Sequence, residues 1–163
     1  HRPGAGGGMS YRASALPGTL GTGILHFGLG AFHRAHQAPA TEDAIVAGGG
    51  DWGIEAIAMR SPTLAEALAA QGHRYTLIER HPEGPQAREM SVIRRSHILP
   101  HDPGAVIARL ADPAIRIVTI TVTEKILDGA NHFFANQLDE IAELTENYLE
   151  EHDAGRRKGQ AAD

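Results

Sequence analysis

Gly23-Ile24-Leu25-His26-Phe27-Gly28-Leu29-Gly30-Ala31-Phe32-His33-Arg34-Ala35-His36-Gln37 decides the fold. A short apolar run leads into Gly-x-Gly, and the residues after it have the character of a first helical turn. Strand, Gly-x-Gly, helix is how a mononucleotide-binding unit begins. Gly28 lets the chain turn sharply off the strand. Gly30 removes a side chain, so that backbone and a diphosphate can approach. The helix start behind them offers N–H groups and a partial positive charge. The slot for a third glycine holds His33, a bulky residue where helix and strand normally pack closely.

Outward from this corner, strands and helices alternate. Strand one is expected at about 23–28, and a helix at about 31–47, kinked or divided by Pro39. Gly48-Gly49-Gly50-Asp51 is a loop, and strand two covers about 53–59. Ser61-Pro62-Thr63 starts a helix, with Ser61 as N-cap and Pro62 at its first position, and Gly72 ends it. Strand three is expected at 75–80, followed by a turn at His81-Pro82-Glu83-Gly84-Pro85. Residues 90–99 hold one or two strands. Asp102-Pro103 opens a helix to about Ala111, and the β-branched run 115–122 is a strand. Strands separated by helices imply an α/β, Rossmann-like fold: a mostly parallel sheet with helices on both faces. Residues 136–151 contain six acids and no Lys or Arg, with Leu138, Ile141, Ala142, Thr145, Tyr148 and Leu149 at helical spacing. They predict a C-terminal amphipathic helix with an acidic outer face.

Four spaced segments resemble the mannitol dehydrogenase family, the polyol-specific long-chain dehydrogenases that include the fructuronate reductases. They are the Gly28–Gln37 segment, Gly50-Asp51-Trp52-Gly53-Ile54, Tyr75-Thr76-Leu77-Ile78-Glu79-Arg80, and the run from Arg116 to Lys125. The resemblance covers about residues 20–125. It implies an oxidoreductase that moves a hydride between a nicotinamide dinucleotide and a sugar alcohol or hexuronate. It also implies that the lysine base and its companions belong to a C-terminal substrate domain that this chain lacks, so the chain alone binds cofactor without turnover. Residues 126–150, with Gly129-Ala130-Asn131-His132-Phe133-Phe134, resemble instead the end of an α/β-hydrolase. His132 would be its base. No Gly-x-Ser-x-Gly elbow accompanies it, which leaves His132 without a nucleophile.

The expected organisation is a disordered Gly/Pro-rich arm at 1–21, a dinucleotide-binding domain at 22–125, an appended strand and acidic helix at 126–151, and a disordered tail at 152–163. The expected cofactor contacts are Gly28, Leu29, Gly30, Ala31, Phe32, Arg34 and Arg60. Arg34 faces either phosphate oxygens or solvent. At the end of strand two stand Met59, Arg60, Ser61 and Pro62, with no acid. A carboxylate there normally accepts from the ribose hydroxyls. Arg60 can pair with a 2′-phosphate or stack on adenine. NAD is the expected cofactor, and the local chemistry tolerates NADP. No catalytic residue is assigned in the chain beyond a proton-handling role for Glu124, whose alternative is a surface ion pair with Lys125. His33 and His36 share a three-residue spacing, but a metal needs a third ligand that the pattern does not supply.

Bulk composition narrows the classes. Of 163 residues, 42% are hydrophobic and 21% charged, as in a globular domain with a core of its own. A net charge of −5 gives no nucleic-acid footprint. The absence of cysteine excludes disulfides and zinc–thiolate sites and fits a cytoplasmic protein. No apolar run is long enough to span a bilayer. The uncovered edge of the sheet offers a surface for self-association.

Overall fold

A computed structural model describes residues 9–122. Strands β2 (Thr22–Phe27), β3 (Gly53–Ala58), β6 (Ile93–Ile98) and β7 (Ile117–Ile120) form one sheet in the order β6-β3-β2-β7. Every pairing in it is parallel. Counted along the chain, these strands run 3-2-1-4, the order of the first half of a doubly wound nucleotide-binding sheet. β2 is central because its partners arrive from opposite directions. Ile57 lies beside Phe27 on one flank and Ile120 on the other.

Side chains alternate across the sheet and define two cores. Ile24, Ile54, Ala56 and Ala58 face helices α1 (Ala38–Gly48) and α2 (Thr63–Ala70) and cluster with Ile45, Ala65 and Leu68. Leu25, Phe27 and Ile57 face the other way and pack on Val106 of α3 (Pro103–Leu110). Asp102 caps α3, its carboxylate accepting from the Ala105 amide at 2.9 Å. α2 starts one residue later than expected: Pro62 is its N-cap, its carbonyl accepting from the Glu66 amide at 2.9 Å, and the Ser61 hydroxyl accepts only a long 3.4 Å bond from the Thr63 amide.

Three further features differ from the sequence expectation. First, the described part of the arm is ordered: β1 (Ser10–Arg12) pairs in parallel with Gln86, Ala87 and Arg88, and Leu20 is buried in the core. Second, Pro39 does not divide the first helix. A π-helical turn, His33–Gln37, precedes α1, and the Ala38 amide donates to the His33 carbonyl five residues back. In that register the next donor would be the proline, which has no N–H. The Arg34 carbonyl it leaves over accepts from the Tyr75 hydroxyl at 2.7 Å. Third, residues 81–85 are not all turn. β4 (Tyr75–His81) and β5 (Gly84–Met90) form an antiparallel hairpin joined by Pro82 and Glu83. With β1 they make a separate three-stranded sheet. β5 is polar because its inward arginine is neutralised rather than replaced. Buried Arg88 donates to both carboxylate oxygens of Asp43 on α1, at 2.6 and 3.1 Å. Glu42 beside it accepts from the Ser91 and Val92 amides at 3.0 and 3.2 Å, pinning the link between the sheets. The acidic helix expected at 136–151 lies outside the described residues.

A buried ion network fastens α3. Glu55, 2% exposed on β3, accepts from Arg109 Nε and Nη2 at 2.9 Å each, from Thr22 Oγ1 at 2.9 Å, and faces His97 Nε2 at 2.7 Å. Burial alone would raise its pKa, but the hydrogen bonds from His97, Arg109 and Thr22 outweigh it and hold the carboxyl at about 2. Glu55→Ala is expected to cost about 2–4 kcal/mol in urea unfolding, because Arg109, His97 and Thr22 all lose their buried acceptor and Arg109 keeps only Asp112 as a charged partner. The native carboxylate's contribution is full above the unfolded pKa and is lost as pH falls from about 4.5 towards 2. An unfolding midpoint unmoved by the substitution would contradict this role.

Candidate functional site

The C-terminal ends of β2 and β7 meet where the strand order reverses, and the glycine corner stands on that rim. Gly28 has φ +113°, a conformation that side chains disfavour, and an added Cβ would lie 3.3 Å from the Thr121 Cβ. Its N–H donates to the Ile57 carbonyl at 3.0 Å, tying the corner to β3. Gly28 therefore serves the turn itself. Gly30 serves the space above it: a Cβ there meets nothing within 4 Å. The Gly30 carbonyl accepts from the Arg34 amide, which makes Gly30 the helix N-cap. Its own N–H is spent on the Gly28 carbonyl at 2.8 Å. The orphan donors of the first turn are those of Ala31, Phe32 and His33.

Beneath the corner lies a directional chain of hydrogen bonds that sequence reading did not anticipate. His26 Nε2 lies 3.1 Å from both the Gly28 carbonyl and the Thr121 hydroxyl, and it donates to the carbonyl in the tautomer that carries its proton there. His26 Nδ1 then accepts from the Thr119 hydroxyl at 2.8 Å. Thr119 in turn accepts from Gln37 Nε2 at 3.0 Å, and Gln37 Oε1 accepts from His33 Nδ1 at 3.2 Å. The two imidazoles stack face to face, with centroids 3.7 Å apart and planes 9° apart. Both are fully buried, and His33 Nε2 has no partner. Burial pushes each pKa down to about 4, and for His33 the neighbouring His26 adds to the effect. The third-glycine slot is thus filled by a flat, neutral ring lying on another. One signal in the sequence marks this network: His26 is the polar residue inside an apolar strand.

The remaining expected contacts separate by environment. Ala31 and Phe32 are exposed beside Gly30, and Phe32, 64% exposed, packs edgewise on His36. Leu29 is buried in the core, so only its backbone reaches the corner. Arg34 is half-buried: its guanidinium sits over the Tyr75 ring, 5.9 Å from the centroid, and its Nε is buried without a hydrogen-bond partner. Arg60 is exposed three residues beyond Ile57, which pairs with Phe27, so it leaves the same rim as Gly30. His33 and His36 do not share surroundings, one buried and one exposed, and no metal-binding cluster occurs among the described residues. Glu124, Lys125 and His132 lie outside the described residues.

Two further sequence motifs prove to be clasps. Arg116 stacks on Trp52, 3.5 Å from the ring centroid, and donates to the Asp51 carbonyl, while Asp51 Oδ1 accepts from the Gly21 amide at 2.9 Å. These bonds join the starts of β2, β3 and β7 at the end opposite the corner. Tyr75, as above, completes the π-helical turn.

An open parallel sheet in this order, with a glycine corner at its switch point, is a Rossmann-type dinucleotide-binding domain. Comparison with known proteins extends the assignment. The family description "Mannitol dehydrogenase Rossmann domain" matches residues 22–159, and the chain belongs to the mannitol dehydrogenase family. That span takes in residues 126–151, which the sequence reading set apart. Mannitol 2-dehydrogenase of Cereibacter sphaeroides is 40% identical over 140 residues, covering 82% of this chain and 28% of the relative. Polyol:NADP oxidoreductase of Gluconobacter oxydans is 43% identical over 107 residues, covering 63% and 22%. The ternary complex of Pseudomonas fluorescens mannitol 2-dehydrogenase with NAD and D-mannitol superposes with a TM-score of 0.66 at 34% identity, covering 71% of this chain and 24% of that one. The chain therefore spans about a quarter of the length of such relatives. No helix among the described residues is long and apolar enough to cross a membrane.

Two outcomes follow from the corner. Gly30→Asn retains a good N-cap and the open space for it, so the unfolding midpoint should hold while dinucleotide affinity falls by about tenfold or more. Unchanged affinity would contradict the backbone approach. Because both histidines are neutral when folded, their contribution to stability is full above pH 6.5 and is lost as pH falls towards 4. Urea midpoints measured across that window should decline, and His33→Leu should flatten the decline. A wild-type midpoint that stays level would contradict the buried neutral pair.

Proposed function

We propose that this chain holds the nicotinamide dinucleotide of an oxidoreductase that interconverts a sugar alcohol, or hexonate-type alcohol, with its ketose or hexuronate. The observation that carries the reading is the Gly28–Gly30 corner, open above Gly30 and backed by the orphan amides of Ala31, Phe32 and His33. Gly28, Leu29 and Gly30 would face the diphosphate through backbone, Ala31 and Phe32 would flank it, and Arg60 would meet the adenosine ribose. Arg34, committed to Tyr75, would add positive potential rather than a direct contact. When bound, the dinucleotide supplies the acceptor for a carbinol hydride. The chain's own residues fix where it sits. His26 holds the Gly28 carbonyl, and the Thr119–Gln37 chain holds His26.

Family membership supports the chemistry and leaves the cofactor open, since one similar protein is named for NADP and one similar structure holds NAD. NAD is the cofactor carried over from the sequence reading. This chain matches about a quarter of the length of its relatives, and turnover by it alone is expected to be negligible. Glu124 remains the proposed proton-handling residue.

A second reading, a protein-binding module, rests on one observation: Ile117, Val118, Ile120 and Val122, on and just beyond β7, the edge strand among the described residues, are exposed. Calorimetry with NADH and NADPH, run beside size-exclusion chromatography, separates the two. Saturable heat from a monomer, without oxidation of mannitol or reduction of fructuronate, is the expected result. A folded dimer with heat from neither nucleotide would overturn the dinucleotide reading in favour of the second.

A further inference from the structure

Between α1 and β7 the surface is apolar and open. Ala40, Ala44 and Gly48 follow one another at i, i+4 along α1, and all three are exposed. With Ile24, Ile117 and Trp52 they line a groove of about 530 Å³. Among the described residues no charged side chain lines it. Gln37, just ahead of α1, stands at the end nearest the glycine corner, and Trp52 at the opposite end. Side chains as small as these leave room for a second helix at an interaxial distance of about 8–10 Å.

We propose that this groove is the seat of residues 136–151 of the same chain, laid along α1 with Leu138, Ile141, Ala142, Thr145 and Leu149 turned inward. Those residues recur at helical spacing, and the six acids of the segment fall on the other side. One face therefore needs an apolar seat, and the other must stay in water. A groove without charge suits the first and excludes the second. The segment equals in length the run from His33 to Gly48 that walls the groove. Residues 123–135 connect it to the end of β7. At up to about 3.3 Å each, they reach either end of a wall about 24 Å long. The family description matches as far as residue 159, so it takes in the segment as part of the same domain. Seated there, 136–151 covers Ile117 and shields Gln37, and with it the hydrogen-bond chain beneath the corner, from water. This seat is independent of where the dinucleotide sits. It gives Ile117 a partner within the chain, where the protein-binding reading offers it to another molecule.

The chain has no cysteine, so single introduced thiols report on chosen positions. In the full 163-residue chain, Ala44→Cys should react with N-ethylmaleimide about tenfold or more slowly than Ala47→Cys, which is exposed on the same helix outside the groove. Adding Ile141→Asp should make the two rates equal. Ala56→Cys, buried in the sheet, should stay unreactive in the Ile141→Asp chain, which separates lost docking from lost fold. If that chain unfolds, the milder Ile141→Ser takes its place with the same expected result. Equal rates at Ala44→Cys and Ala47→Cys in the otherwise native chain would overturn the proposal. So would slow alkylation of Val118→Cys, on the opposite face of β7, in place of Ala44→Cys. Protection of Ala44→Cys that fades on dilution and ignores Ile141→Asp, the mark of a second copy, would overturn it too.

Discussion

The Gly28 carbonyl is held in place by a neutral imidazole. His26 reaches it from inside the strand, and its own orientation is fixed by Thr119 on the next strand, which Gln37 fixes from the helix. His33 lies flat on His26 and closes the circuit through Gln37. Strand, turn, helix and neighbouring strand thus converge on one carbonyl. With both rings neutral, every bond of this chain has a donor and an acceptor, and the buried His33 Nε2 alone is left without a partner. Burial enforces that state, which is why the chemistry of the corner and the stability of the fold depend on the same two side chains.

The π-helical turn is the geometric counterpart of this network. It begins at His33 and ends at Gln37, and Pro39, which lacks the next N–H in that register, follows in the first turn of α1. Its cost is one unclaimed carbonyl, which Tyr75 satisfies from the second sheet. That sheet is in turn anchored by Arg88 to Asp43, and its connection to β6 by Glu42. The hairpin is thus more than an insertion between β3 and β6: it braces the helix whose N-terminus faces the site.

Much of this was legible in sequence. Glycines, prolines and β-branched runs placed the parallel strands and the cap at Asp102, because backbone constraints of that kind are local. The polar strand β5 was not legible. Its inward residue is an arginine, and only the tertiary partner Asp43 makes burial of that charge tolerable. The strand at Ser10–Arg12 was hidden for a similar reason: three polar or exposed residues gain their structure from β5 alone. At the site, the roles of Gly28 and Gly30 followed from the motif. The stacked histidines did not, since a bulky residue in the third-glycine slot reads as a defect until its partner ring is placed beside it.

Backbone amide shifts in a nitrogen-15 NMR titration with nicotinamide dinucleotide test the central claim most directly. Contact through the corner predicts the largest shifts at Gly30, Ala31, Phe32 and His33, with smaller ones at Thr121. Shifts absent from those amides and concentrated instead along the α1–β7 groove, at Thr41, Gly48 and Ile117, would contradict it.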